Sequence, residues 1–233
     1  MVRHIINWHG LRQALHTLGA IFLCLGLAAC FDFEQDLTIK SSGAGSLAVK
    51  LRMDPAFKGA LDEETILGEQ KAPVEVKREV KDGQYVQSER VTFNALSELK
   101  LQNETLSIVN NGTTFFGAGP KNLTLTRTVD NAAAEPDAFG LMRGLFQDRT
   151  YTFKVTVPGW VGKAYPLIVA GESIAPQSNG GTVSWQIPMA RAMSTQQLVY
   201  RVDFYSYMKI EGNLTAERVP NHIDPGQQGA ATH

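Results

Sequence analysis

Phe31-Asp32-Phe33-Glu34-Gln35-Asp36-Leu37-Thr38-Ile39, then Lys40-Ser41-Ser42-Gly43-Ala44-Gly45, then Ser46-Leu47-Ala48-Val49-Lys50-Leu51-Arg52-Met53 carry the pattern that decides the fold. Phe31, Phe33, Leu37 and Ile39 alternate with charged and polar residues, and Leu47, Val49, Leu51 and Met53 alternate with Ala48, Lys50 and Arg52. Successive strand side chains point to opposite faces, so each run has one face for a core and one for water. Two half-buried strands joined by a Gly-rich turn make a β-hairpin.

The same period recurs downstream. Val74 to Phe93 alternates around Asp82-Gly83, a two-residue hairpin signal, with a change of face expected near Gln87 to Glu89. Leu106 to Val109 and Thr113 to Phe116 flank Asn110-Asn111-Gly112, a second hairpin signal. Lys121 to Val129 reads as a strand with Leu123, Leu125 and Val129 on its apolar side, and Arg127 falls on that side too. Tyr151 to Val157, Val183 to Ile187 and Leu198 to Phe204 complete the set.

Two helices are expected between these strands. Asp54-Pro55 is a helix start, with Phe57, Leu61 and Ile66 or Leu67 facing the sheet and Gly68 as the stop. A second helix is expected from Pro136 to Phe146, with Phe139, Met142 and Leu145 or Phe146 on one stripe. The order predicts an α+β domain, with about two helices packed on one face of an antiparallel sheet.

Upstream of the hairpin, Arg3 and Arg12 precede an apolar run containing Leu18, Ile21, Phe22, Leu23, Leu25 and Leu27, too short to span a bilayer comfortably. The run ends in Leu27-Ala28-Ala29-Cys30, which resembles the lipobox of a bacterial lipoprotein signal. That resemblance implies that residues 1–29 are removed and that Cys30 carries a thioether-linked diacylglycerol and an amide-linked acyl chain, such as palmitate. Several chains anchor where one holds only marginally. Membrane attachment in the cell envelope is therefore expected. Phe31, rather than Asp, after the cysteine points to the outer membrane facing the periplasm in a diderm organism.

Setting aside 1–29 leaves 204 residues with 20 basic and 23 acidic side chains, a formal charge of −3. That length suits one extracytoplasmic domain, expected over 30–218, with a disordered polar tail over 219–233 rich in Pro, Gly and Gln. No basic footprint for nucleic acid is present. His4, His9, His16 and Cys24 fall in the signal, and only His222, His233 and Cys30 remain. A Ser-His-Asp triad, a Cys-His pair and a His- or Cys-ligated zinc site lack their ingredients within the domain, so neither an enzyme nor a cofactor is expected. Carboxylate chemistry survives this elimination, but Asp62-Glu63-Glu64 occupies adjacent positions that diverge on a helix. The sequons at Asn103, Asn111, Asn122 and Asn213 are read as turn and strand-face chemistry.

Candidate ligand-binding residues are aromatic groups in Gly-rich loops: Phe115 and Phe116 before Gly117-Ala118-Gly119-Pro120, and Trp160 and Tyr165 after Pro158-Gly159. They either fold into the core or form an apolar mouth or membrane contact. Arg127 is either a strand residue whose head snorkels to the sheet edge or an anchor for a phosphate or carboxylate headgroup.

A cysteine leading directly into a strand, the hairpin reaching Val49-Lys50-Leu51-Arg52-Met53, and Ser178-Asn179-Gly180-Gly181-Thr182-Val183-Ser184-Trp185 together resemble the LppM-type lipoprotein family, over about Cys30 to Tyr207. The resemblance implies an α+β fold with an apolar cavity, a role in binding envelope lipids or other small amphiphiles, and no catalytic residue. The leading expectation is a lipid-anchored module that binds a lipid or amphiphile. The alternative is a structural or assembly lipoprotein whose sheet edge or tail meets an envelope protein partner, with a carboxylate-dependent hydrolase third.

Cys30→Ser is expected to abolish lipidation, since Cys30 supplies the sulfur that takes the diacylglycerol in thioether linkage. A clickable fatty acid fed to cells should label the parent chain alone, and label retained on the variant would refute the anchor.

Overall fold

The computed structural model describes residues 32–60, 65–114, 119–131, 146, 149–209 and 212–219. Its first strands are β1 (Asp32–Ile39), β2 (Gly45–Met53), β3 (Val74–Lys81), β4 (Gln84–Phe93), β5 (Lys100–Gln102), β6 (Glu104–Thr113), β7 (Lys121–Asp130) and β8 (Thr150–Thr156). The remainder are β9 (Trp160–Ala164), β10 (Leu167–Val169), β11 (Glu172–Ile174), β12 (Gln177–Asn179), β13 (Thr182–Pro188), β14 (Gln197–Ser206), β15 (Leu214–Thr215) and β16 (Glu217–Val219). A six-residue helix, α1 (Met189–Ser194), follows β13.

The strands form a seven-stranded sheet in the order β12-β13-β8-β1-β2-β4-β3 and a five-stranded sheet in the order β15-β6-β7-β14-β9. The two pack face to face. Leu37, Val49, Val91, Phe153 and Val155 from the larger sheet share one core with Ile108, Leu123, Leu125, Val202 and Phe204 from the smaller. At its centre Trp185 stacks on Phe153, with ring centroids 5.9 Å apart, while Tyr200 of the facing sheet meets both rings edge-on at 4.8 and 5.3 Å. The fully buried Trp185 still places its indole N–H, which donates to the Tyr165 carbonyl at 3.0 Å. Its ring therefore buries a large apolar area without stranding a donor.

This arrangement corrects the expected fold class. The layer covering the large sheet is a second sheet, not a pair of helices. Residues Pro55–Ala60 form a 3-10 turn, and α1 is the only α-helix among the described residues. The 66–70 segment that completes the expected first helical stripe is instead a loop clamped by a buried carboxylate. Glu89 accepts the Ile66 and Leu67 backbone N–H groups at 2.8 and 2.9 Å and the Gln87 side-chain amide at 2.6 Å. Backbone donors satisfied by Glu89 are unavailable to a helical ladder. The second expected helix lies outside the described residues apart from Phe146, which is buried.

The larger sheet is also mixed. β1 pairs antiparallel with β2 but parallel with β8, in register from Phe33 opposite Tyr151 to Thr38 opposite Thr156. The expected change of face in β4 is absent: its pairing with β2 and β3 is continuous. Gln87 and Glu89 simply occupy the buried face with Tyr85, Val91 and Phe93, where the loop amides and neighbouring side chains satisfy them.

Asp82-Gly83 makes the expected hairpin turn, both residues at positive φ (52° and 76°) as a type I′ turn requires. Asn110-Asn111-Gly112 does not turn the chain. It forms a bulge within β6, where the register against β7 shifts between Asn110 and Thr113. Asn111 donates from its side chain to Thr124 Oγ1 at 2.8 Å, and Gly112 N–H donates to the Asn110 side chain at 3.0 Å, so local partners stabilise the extra residue. β14 runs to Ser206, two residues beyond the expected strand end at Phe204.

Candidate functional site

Arg127 is the charged residue that the fold treats most carefully. β7 directs it between the sheets beside Leu123 and Leu125, and the residue is 3% exposed. Its guanidinium lies 4.1 Å from the centroid of the Phe153 ring and 5.4 Å from that of Tyr200. From β6, Glu104 receives it in a fork: Nε donates to Oε2 at 2.8 Å and Nη2 to Oε1 at 2.7 Å. Nη1 donates to the Tyr151 hydroxyl at 2.8 Å, and Nη2 donates also to Gln35 Oε1. The Tyr151 hydroxyl in turn donates to Gln35 Oε1 at 2.7 Å. Residues from four strands and both sheets thus converge on one cation.

The electrostatics follow from this geometry. Burial, the largest single influence, lowers the pKa of Arg127, but the Glu104 carboxylate together with Tyr151 and Tyr200 outweighs it, and the net shift is upward. The guanidinium is held as a cation. Burial, with the nearby Glu104 charge, raises the Tyr151 pKa against the opposing pull of Arg127. Burial likewise holds Tyr200 well above the ordinary tyrosine value, with the neighbouring Tyr151 adding to the shift. Both phenols therefore stay neutral at physiological pH.

Beside this network lies a cavity of about 350 Å³, between the sheets at the end where β1 begins. Phe33, Ile66, Val129, Met189, Met193 and Leu198 give it apolar walls. Gln35, Tyr151 and Glu104 bring the edge of the Arg127 network to its lining, while Gln102, Asn103 and Asn131 supply further polar groups. One wall is tied in place by Asn131, whose side-chain amide donates to the Ala192 and Thr195 carbonyls at 2.9 and 2.8 Å, fastening the end of α1 to the end of β7. Orphan carbonyls at a helix terminus need such donors. Asn103 turns the chain between β5 and β6 at φ 55°, and its carbonyl accepts the Asp130 N–H at 2.8 Å. The volume falls at the lower end of the range for small-molecule sites, and the lining divides almost evenly between apolar and polar side chains.

The expected site residues are dispersed. Arg127 belongs to the network behind the cavity, with its charge matched by Glu104. Trp160 and Tyr165 stand on the outer surface of the smaller sheet, away from the cavity. Trp160 is exposed and stacks on Tyr205 with centroids 5.6 Å apart. Tyr165 donates its hydroxyl to Asp203 Oδ2 at 2.7 Å, a bond that raises its pKa. Phe115, Phe116 and Cys30 lie outside the described residues, as do Asp62, Glu63 and Glu64. Among the described residues no cluster of three or more His, Cys, Asp or Glu is placed to hold a metal ion, and no helix is long and apolar enough to cross a membrane.

The cavity residues themselves escaped the sequence reading. Phe33 and Leu198 were legible as inward strand positions, but Met189 and Met193 sit in a six-residue helix with no periodic signature. Gln35 breaks the apolar face of β1 between Phe33 and Leu37, and that interruption was the one signal available.

No family model matches the chain, and no curated protein matches its sequence. Among solved structures it is similar to the NMR structure of the folded domain of LppM from Mycobacterium tuberculosis, at 14% identity and a TM-score of 0.41, over 76% of this chain and 91% of that one. The likeness is distant and partial.

Replacing Arg127 by Met is expected to cost about 3–5 kcal/mol, because it strands the Glu104 carboxylate in a site that is largely closed to water. Combining it with Glu104→Leu should recover most of that loss, since an apolar pair of similar volume can replace a buried ion pair at little cost. Urea melts of both single variants and the double variant measure this coupling. Additive losses would show that the two side chains do not act as a pair.

Proposed function

We propose that the domain binds one small amphiphile in the cavity at the β1 end, held near a membrane by the lipidated Cys30. The observation that carries this reading is the pairing, in one cavity of about 350 Å³, of apolar walls from both layers with the uncharged hydrogen-bonding groups of Gln35 and Tyr151. An alkyl chain or ring system gains by leaving water for the Phe33, Met189, Met193 and Leu198 surfaces. A polar head then meets Gln35, Tyr151, Asn103 and Asn131.

The Arg127 network decides which head is favoured. Glu104 already neutralises the guanidinium, so the floor offers hydrogen bonds in place of a bare positive charge. A hydroxyl, amide or other neutral head fits this floor better than a second carboxylate, which would meet Glu104 at close range. Position supports the same reading: Phe33 lies three residues after Cys30, so the anchor brings the cavity close to the bilayer. A ligand leaving the membrane has a short path.

Met193 is the residue to change. It lines the cavity and is only partly buried, so Met193→Trp fills the space while sparing the central core. Binding of the fluorescent amphiphile N-phenyl-1-naphthylamine should weaken at least about tenfold, the equivalent of roughly 1.4 kcal/mol. The melting temperature should stay close to that of the parent. Unchanged probe affinity in a folded variant would reject this cavity as the binding site.

A further inference from the structure

The outer face of the smaller sheet carries chemistry that the cavity does not use. Three rows cross β7, β14 and the β9 region in register. The first joins Asn122, Tyr205 and Trp160, the second Thr124, Asp203 and Lys163, and the third brings Thr126 and Arg201 to Tyr165, whose N–H donates to the Arg201 carbonyl at 3.1 Å. Trp160 is 48% exposed and lies nearly parallel to Tyr205, at 28°. The two rings stack on one another, and the exposed indole makes the stack an apolar step on the sheet surface. Gly162 makes the close fit of Tyr205 to β9 possible, because a Cβ there would come within 2.7 Å of the Tyr205 ring.

Next to this step the polar groups are already oriented. Tyr165 is flanked by two cations, Lys163 Nζ at 4.4 Å from its ring centroid and Arg201 Cζ at 4.5 Å. Its hydroxyl donates to Asp203 Oδ2, while Thr124 donates to Asp203 Oδ1 at 2.8 Å. Asp203 is therefore satisfied by local donors. Arg201 makes only a long contact with it, 3.5 Å from Nε to Oδ1, and its side chain is 48% exposed. Lys163 makes no ion pair with a described residue. The balance at the surface is positive, with donors free to meet an anion.

We infer that this face is a binding site for an acidic saccharide. Flat aromatic faces stack on the C–H surface of a sugar ring, which is apolar, while the ring's hydroxyls and carboxylate project sideways to hydrogen-bonding and cationic groups. The Trp160-Tyr205 step beside Lys163 and Arg201 supplies that combination, and charge complementarity selects an acidic saccharide over a neutral one. The site is also remote from the cavity. Tyr205 is seven residues along β14 from the cavity-lining Leu198, roughly 23 Å at the usual strand rise, on the opposite face of the sheet. That end points away from where β1 begins, which favours a polymer over the membrane surface as the occupant.

Affinity electrophoresis of the full chain in non-ionic detergent, through gels containing alginate or neutral dextran, tests the inference. Alginate, a polymer of uronate sugars, should retard the parent, and dextran should not. Trp160→Ser and Lys163→Gln should each weaken the alginate interaction about three- to tenfold with circular-dichroism melts unchanged, because neither side chain is in the core. Met193→Trp should leave retardation intact, separating this site from the cavity. Equal mobility with and without alginate, equal retardation by dextran, or variants retarded as strongly as the parent would each overturn the inference. So would flotation with vesicles of 70% phosphatidylcholine and 30% phosphatidylglycerol that is lost in the same variants, since the face would then be a membrane contact.

Discussion

A guanidinium can be enclosed between two β-sheets only if its charge and its donors are met inside the protein, and meeting those of Arg127 constrains much of this fold. Glu104 must arrive from β6 to supply the opposite charge in a two-point geometry. Gln35 and Tyr151 must arrive from β1 and β8, which fixes the parallel register of those strands against the facing sheet. Phe153 and Tyr200 fill the remaining contact surface with aromatic faces that favour a cation. The cluster therefore acts as a registration point between layers. Its desolvation cost makes it a poor source of net stability, whereas wrong pairings would leave charge uncompensated and are strongly disfavoured.

The cavity follows from the same arrangement. At the β1 end, apolar packing between the sheets gives way to the edge of the polar network, and short side chains such as Ala192 share the lining with flexible methionines. Methionine adapts to differently shaped neighbours because its chain is unbranched and polarisable. Glu89 and Asn131 fix two parts of the surrounding frame, the first through the loop bearing Ile66 and the second through the end of α1. On the proposed reading of the cavity, a rigid frame with an adaptable lining suits a class of amphiphiles better than a single rigid molecule.

Strand positions were legible in the sequence because a period of two reports directly which side chains face inward. The β1–β2 pair, β8, β13 and β14 all follow that pattern, and Arg127 was visible as a charge on an apolar face. The partition of the strands into two sheets was not legible: alternation shows that a face is covered, but a helix layer and a second sheet leave the same signature. Nor could it show that β8, more than a hundred residues downstream, pairs with β1. Gln87 and Glu89 imitated a change of face because Glu89 is met by backbone amides of a distant loop and Gln87 by the side chains of Arg78, Tyr85 and Glu89. Asn110-Asn111-Gly112 has the chemistry of a tight turn, but a bulge also needs local hydrogen bonds and a glycine at positive φ. The partners of Arg127 escaped for the same reason as the cavity, since they meet only after both sheets have formed.

Native mass spectrometry of the full chain, purified gently in non-ionic detergent, is the most direct test of the proposed amphiphile site. The expected spectrum contains a population whose mass exceeds that of the chain, with any covalent modification it carries, by one amphiphile, released on collisional activation and absent when the cavity is filled by Met193→Trp. A parent spectrum without any such adduct, or an adduct retained in full by the filled variant, would contradict it.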